Sequence, residues 1–313
     1  MNLLYNKYSE FRSGWKIFLT VMLSVAIGIG IITLVEILFI AYLFICGDLA
    51  IGDQIDTISK TMDSYAIYSV LLKISTNVAI IIAVAKMWKV NEKTSVSNLG
   101  LINVKEKYKD LIIGLVLGAV TISIVAMIIT NVGGVQFINK MDTPNIVLSI
   151  ISGLILFISI GIAQEVLTRG YYMSVLKQAR NKYVVLFVPA ILFAIMSLGS
   201  KGMGIIPFIN LCLMGITFAY MFVKSKSLWM PIGFHIMWSY IQGYVFGFNV
   251  SGEKVVGLYE VSITQSNLIN GGTFGPEGGL VVTGMLLLLI YGIRLYYKDL
   301  KIDEFLGDRL SET

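Results

Sequence analysis

Three polar groupings interrupt otherwise apolar stretches of this chain, and their residue types could handle protons. The first lies in "GIAQEVLTRGYY" (161–172), which carries Gln164, Glu165 and Arg169. On a helix Glu165 and Arg169 share a face, with the acid N-terminal to the base, the favourable order for an ion pair. A carboxylate can take or give a proton, and a guanidinium can stabilise developing negative charge. An intramembrane ionisable pair is a functional candidate, and equally a staple between helices. The second grouping, "WMPIGFHIMWSYIQG" (229–243), holds His235, the only histidine, with Trp238 nearby and Ser239 on the same helix face. A neutral imidazole can exchange a hydrogen bond or bind a metal. The third is Ser197 in "FAIMSLGSKG" (193–202), whose hydroxyl could also bond back to the preceding turn.

The elements that must position these residues are membrane helices. Hydrophobic residues make up 56% of the 313, charged residues only 14%, and the mean hydropathy is +0.81. Crossing about 30 Å of hydrocarbon takes roughly 20 residues. Runs near 15–46, 65–87, 111–131, 146–178, 183–200, 205–223, 228–249 and 279–297 offer eight candidate spans. The expectation is an all-α polytopic bundle of about eight transmembrane helices, residues 1–313 forming one integral membrane domain. Cations set the orientation. With an inside N-terminus, the inner segments hold nineteen Lys and Arg and the outer ones only Lys60, Lys140, Lys201 and Lys254. Both termini are thereby predicted cytoplasmic. The same asymmetry accounts for the net charge of +5 and leaves nothing for nucleic acid to explain.

The first run is about twice as long as a signal core, so it reads as a retained anchor. Glu36 within it reads as a packing group, and Cys46 and Cys212 indicate neither a disulfide framework nor a thiol metal cluster. Leu101, Val104 and Tyr108 stand at helical spacing in the 88–110 connection, which predicts a short amphipathic surface helix. The outer connection 250–278 is rich in Gly, Ser and Asn and predicts a tight, turn-laden structure that could cover the outer mouth of the bundle. Gln164 and Ser197 lie at similar depths, about 21 Å from their inner helix ends, and His235 at about 10–15 Å. The three groupings can converge on one cavity.

These motifs resemble the CAAX protease and bacteriocin-processing (CPBP, or Abi) family of intramembrane endopeptidases, over about residues 99–297. Gln164-Glu165 followed by Arg169-Gly170 is similar to the family's Glu-Glu-three-residues-Arg motif, with the leading acid replaced. Phe193 through Ser197 is similar to Phe-three-residues-His, with the histidine replaced. His235 through Ser239 is similar to His-three-residues-Asn, and "QGYVFGFNVSG" and "GGTFGPEGG" look like the stretches C-terminal to that motif in bacterial members. The resemblance implies a water-filled cavity in which the leading Glu and second-motif His activate water against a peptide bond. The third-motif His and its polar partner would stabilise the oxyanion, supported by Glu165 and Arg169.

Gln164 cannot take a proton from water and Ser197 has no basicity near neutral pH. Only Glu165 and His235 could substitute. Family analogy raises zinc, yet a catalytic zinc usually has three protein ligands and only those two residues qualify, so no cofactor is assigned. Two functions remain. The favoured one is a catalytically impaired pseudoprotease in the bacterial cytoplasmic membrane, a scaffold or regulator binding a hydrophobic peptide or a membrane or cell-envelope protein. The alternative is an active endopeptidase, CAAX-type or leader-processing, using Glu165, Arg169, His235 and Ser239. A transporter would need paired broken helices, and none is visible.

Overall fold

The computed structural model describes residues 3–6, 10–263 and 266–297; Lys7, Lys298, Lys301 and Arg309, among the cations expected inside, lie outside the described residues. In chain order the helices are α1 (Ser13–Cys46), α2 (Ile55–Ser64), α3 (Ala66–Glu92), α4 (Val104–Val132), α5 (Ile146–Glu165), α6 (Met173–Leu176), α7 (Lys182–Ile195), α8 (Ile205–Ser225), α9 (Trp229–Tyr240) and α10 (Leu280–Tyr296). All but α2 fall on the eight apolar runs, α5 and α6 sharing the run 146–178.

Among the described residues five stretches are long and apolar enough to cross a membrane: Ser13–Cys46, Ile67–Glu92, Val96–Val132, Ile146–Ala179 and Ile205–Ser225. The protein is therefore a multi-pass membrane protein, and the other three expected runs form shorter helices. Helix α7 has 14 residues and stops at Ile195, where the chain turns over Met196–Gly199. Helix α9 has 12 and passes into a π-helical turn, Ile241–Val245; α10 has 17 and begins only after a turn at Pro276–Gly278.

Packing follows from side-chain size. Helix α4 lies along α9, α1 along α3, and α7 along α8. The α4–α9 contact is a backbone approach made by glycine. A Cβ on Gly118 would sit 2.5 Å from the Phe234 carbonyl oxygen, one on Gly233 would sit 2.6 Å from that of Leu111, and one on Gly114 would strike that of Met230. Small residues four apart are how membrane helices come this close. The described residues form three apolar clusters. Trp88, Leu99, Tyr171 and Phe222 anchor the first; Phe193, Phe218, Phe234 and Phe274 anchor the second; Phe39, Leu43, Met62 and Tyr68 make a smaller group away from both. His235 falls on the boundary of the first two, between Phe234 of the second and Ile236 of the first.

The 88–110 connection contains no separate surface helix. Helix α3 continues to Glu92, a 3-10 turn comes next at Val96–Leu99, and α4 starts at Val104 with non-helical torsion at Lys107. The expected amphipathic segment is the first turn of a span, held down where Trp229 Nε1 donates to the Ile102 carbonyl at 2.6 Å. Two short strands complete the fold. β1 (Val135–Asn139) pairs antiparallel with β2 (Tyr259–Ile263), with Val135 opposite Ile263, so the 250–278 connection is tied to the end of α4.

Candidate functional site

The helix that begins as α5 changes character within the first motif. After Glu165 it widens into a π-helical segment, Val166–Tyr172, before resuming as α6. Such segments often mark functional positions. Here the segment carries Arg169 into the protein, where it is fully buried, as is Glu165. Arg169 Nη1 donates to Glu165 Oε1 at 3.1 Å and to Thr168 Oγ1 at 2.6 Å, and Nη2 donates to the Gly215 carbonyl at 3.1 Å. The guanidinium carbon lies 4.6 Å from the centre of the Phe193 ring and 5.0 Å from that of Phe218. A buried cation is tolerable only with this kind of hydrogen bonding and aromatic cover.

His235 closes the cluster. Its Nδ1 is 3.0 Å from Glu165 Oε1, and its ring stacks on Phe218 with centroids 5.2 Å apart. This is a carboxylate–imidazole pair, in which a proton carried on Nδ1 is donated to the acid.

In front of the cluster lies a cavity of about 270 Å³. Gln164, Ser197, His235 and Ser239 all line it, so residues from three separate segments meet as the motif spacing anticipates. Glu165 and Arg169 do not line it; they stand behind its wall. Ser197 is not on a helix, as the 183–200 run led one to expect, but in the turn after α7, its N–H donating to the Ala194 carbonyl at 3.1 Å. The Ser197 and Ser239 hydroxyls have no hydrogen-bond partner among the described residues, whereas those of Thr168 and Thr217 bond to the carbonyl four residues back. The Ser197 and Ser239 hydroxyls are free to meet a ligand. Apolar side chains such as Leu156, Phe157, Ile160 and Met214 make up most of the remaining wall, and the exposed pair Lys73 Nζ–Glu253 Oε2, 3.3 Å apart, stands at the rim.

Sequence reasoning missed one acid in this cavity, Glu277. It is 4% exposed and lines the wall. Gly275, at φ +102°, and Pro276 turn the chain so that the carboxylate points inward, where Glu277 Oε2 accepts from the Ser251 N–H at 2.9 Å. Asn210 on α8 bolts the turn in place, its Nδ2 donating to the carbonyls of Glu277 at 2.7 Å and Gly279 at 2.9 Å. Glu277 lies in a connection outside the spans. Burial pushes its carboxyl up to about 7, against the opposing pull of Ser251, Gln242 and Trp238. "GGTFGPEGG" contained the signal, since an acid between glycines before an apolar run can be carried into a fold by its own tight turn.

Among the described residues no three His, Cys, Asp or Glu side chains lie close enough to hold a metal ion. The cavity donors His235 and Glu277 do not make a three-ligand zinc site, so the residues present do not fit that group.

A bundle of apolar helices around a largely apolar cavity with a few polar groups, and a buried carboxylate, guanidinium and imidazole beside it, defines a polytopic membrane protein with a candidate site among its helices. Residues 146–241 match the Rce1-like family, described as type II CAAX prenyl endopeptidase Rce1-like. That match spans just under a third of the chain, the part holding Gln164 to Arg169, Ser197 and His235 to Ser239, and it supports the likeness to CAAX proteases that those motifs carry. No curated protein and no solved structure matches it.

Proposed function

We propose that this CAAX protease-like protein binds a hydrophobic peptide segment in its intramembrane cavity without cleaving it, serving as a membrane scaffold or regulator. One observation carries the reading. The acid best placed in sequence to replace the missing base, Glu165, is sealed behind the cavity wall against Arg169 and His235, while Gln164 and Ser197 occupy the wall itself. A general base contributes about 10²–10⁴-fold and must reach the proton it takes. The apolar lining suits a hydrophobic segment. The cation asymmetry supports cytoplasmic termini and opens the Lys73–Glu253 rim to the opposite, extracytoplasmic side of a bacterial membrane.

Glu277 favours a second reading, an endopeptidase with an altered site, because it is a cavity carboxyl whose proton is exchangeable near neutral pH. The test is reconstitution of the purified protein with a library of membrane-associated peptides, followed by mass spectrometry. The native chain should bind but not cut, and Gln164→Glu with Ser197→His should gain cleavage. Cleavage by the native chain that Glu277→Gln or Glu165→Ala abolishes would overturn the noncatalytic reading.

A further inference from the structure

We infer that the cavity recognises a primary ammonium carried on an aliphatic chain, ion-paired with Glu277. This deepens the peptide-binding reading by naming the group that is held, and rests on that reading only for the ammonium's carrier. Four observations converge. Glu277 is a buried carboxylate on the cavity wall with no cationic partner among the described residues. Ser239, only 4% exposed, and Ser197 present unpartnered hydroxyls to the same space, which His235 also lines. Two of the protein's own cations close to the site are committed elsewhere: Arg169 to Glu165 behind the wall, and Lys73 to Glu253 at the rim. The rest of the lining is aliphatic and aromatic, fit for methylenes.

An ammonium has three N–H donors and no acceptor. It meets here a set of acceptors and one uncompensated negative charge, in an enclosure of about 270 Å³, near the lower end of ligand sites and suited to roughly one long side chain. A neutral alcohol would satisfy the hydroxyls but leave the carboxyl unpaired. A carboxylate ligand would face Glu277 as a like charge.

The groups facing Glu277 fix the expected pH behaviour. From α9 come neutral Trp238 and titratable His235, and from the π-helical turn after it neutral Gln242; from α8, neutral Asn210; from the 250–255 segment, the Ser251 N–H and, at the rim, Glu253, with Lys73 from α3. Lys73 and Glu253 offset one another. Ammonium binding needs Glu277 ionised, so affinity rises with pH through the carboxyl's titration near 7 and levels above it.

The ammonium is either a peptide N-terminus or a lysine side chain, and the experiment separates them. Isothermal titration calorimetry on the purified full chain would use hexylammonium, then hexanol, then hydrophobic octapeptides with a free N-terminus, an acetylated N-terminus, or an acetylated N-terminus and one internal lysine. Hexylammonium should bind, hexanol should not, and Glu277→Gln should weaken hexylammonium by at least about 30-fold. Should Glu277→Gln not fold, the native chain alone decides: affinity must rise, with proton release, between about pH 5.5 and 8. Binding that is flat with pH, equal for hexanol, or intact in a folded Glu277→Gln protein overturns the inference. If all the peptides bind alike regardless of amine, the ammonium site fails and the peptide-binding reading stands; if hexylammonium alone binds, the reverse holds.

Discussion

Replacing Gly118 with alanine tests how closely the site depends on the α4–α9 approach. The new Cβ would lie 2.5 Å from the Phe234 carbonyl oxygen, against 3.4 Å or more for ordinary contact. Both partners are backbone, so helix α9 must recede by about 1 Å, since interiors packed to crystal density have no room to absorb the difference. His235 is the next residue after Phe234 and moves with it. A shift of that size distorts its Nδ1 contact with Glu165, now 3.0 Å. Overpacking costs about 1–3 kcal/mol and complete loss of that buried bond to a charged group would add about 1.5–3, at most about 6 kcal/mol together. Gly284→Ala is the control, because a Cβ there meets nothing within 4 Å. Denaturant unfolding in detergent should show Gly118→Ala destabilised and Gly284→Ala unchanged or stabilised by up to about 1 kcal/mol. Because His235 is the only histidine, a nitrogen NMR spectrum of histidine-labelled protein reports one ring directly, and its Nδ1 resonance should shift in Gly118→Ala alone. Equal stability of the two variants, with an unmoved histidine signal, would refute the argument.

Other expectations concern the acids and their supports. Glu277 is an acid whose carboxyl is raised on folding from 4.5 to about 7, so the folded state holds the proton more tightly. Its effect on stability is absent below the unfolded value and becomes a full penalty above the folded one, a loss of about 3 kcal/mol as pH rises from 4.5 to 7. Unfolding measured across that window should show the decline in the native protein and less of it in Glu277→Gln. Arg169→Met strands the Glu165 carboxylate with His235 alone and should cost about 3–5 kcal/mol, whereas Glu165→Gln with Arg169→Met should recover part of the loss. Asn210→Ala leaves the buried Glu277 and Gly279 carbonyls without their donor; a loss of about 1–3 kcal/mol and weaker hexylammonium binding are expected.

Much of the site was legible because intramembrane polar residues are rare and their helical spacing is informative. The Glu165–Arg169 pair forms as its four-residue separation dictates, and Gln164, Ser197, His235 and Ser239 share the cavity their motifs implied. Burial order was not legible. Hydropathy does not say which of two adjacent residues, Gln164 or Glu165, faces the hollow. Span lengths were overestimated where apolar residues continue past the helix end, as beyond Ile195, because a turn can be as apolar as a helix. The β1–β2 ribbon rests on pairing between segments more than a hundred residues apart, which five-residue patterns do not announce. Gly114 and Gly118 stood in plain view in "LIIGLVLG", but their partner Gly233 is identified only by the packing.

The wide turn at Val166–Tyr172 has a consequence for how this protein can change over generations. A π turn holds one residue more than the α-helix around it, so it amounts to a unit of slack. Losing a single residue there would restore uniform winding and leave the two flanking halves in phase, because the surplus residue is taken up inside the wide turn. The far end is clamped, since Ser13 Oγ donates to the Val175 carbonyl at 2.7 Å and the Ser13 N–H to Gln178 Oε1 at 2.9 Å. Gln164 and Glu165 would therefore keep their stations, and the change would fall on the turn that seats Arg169. A shortening by one codon, with no substitution anywhere, would then unseat the guanidinium while leaving the wall that meets a guest as it is.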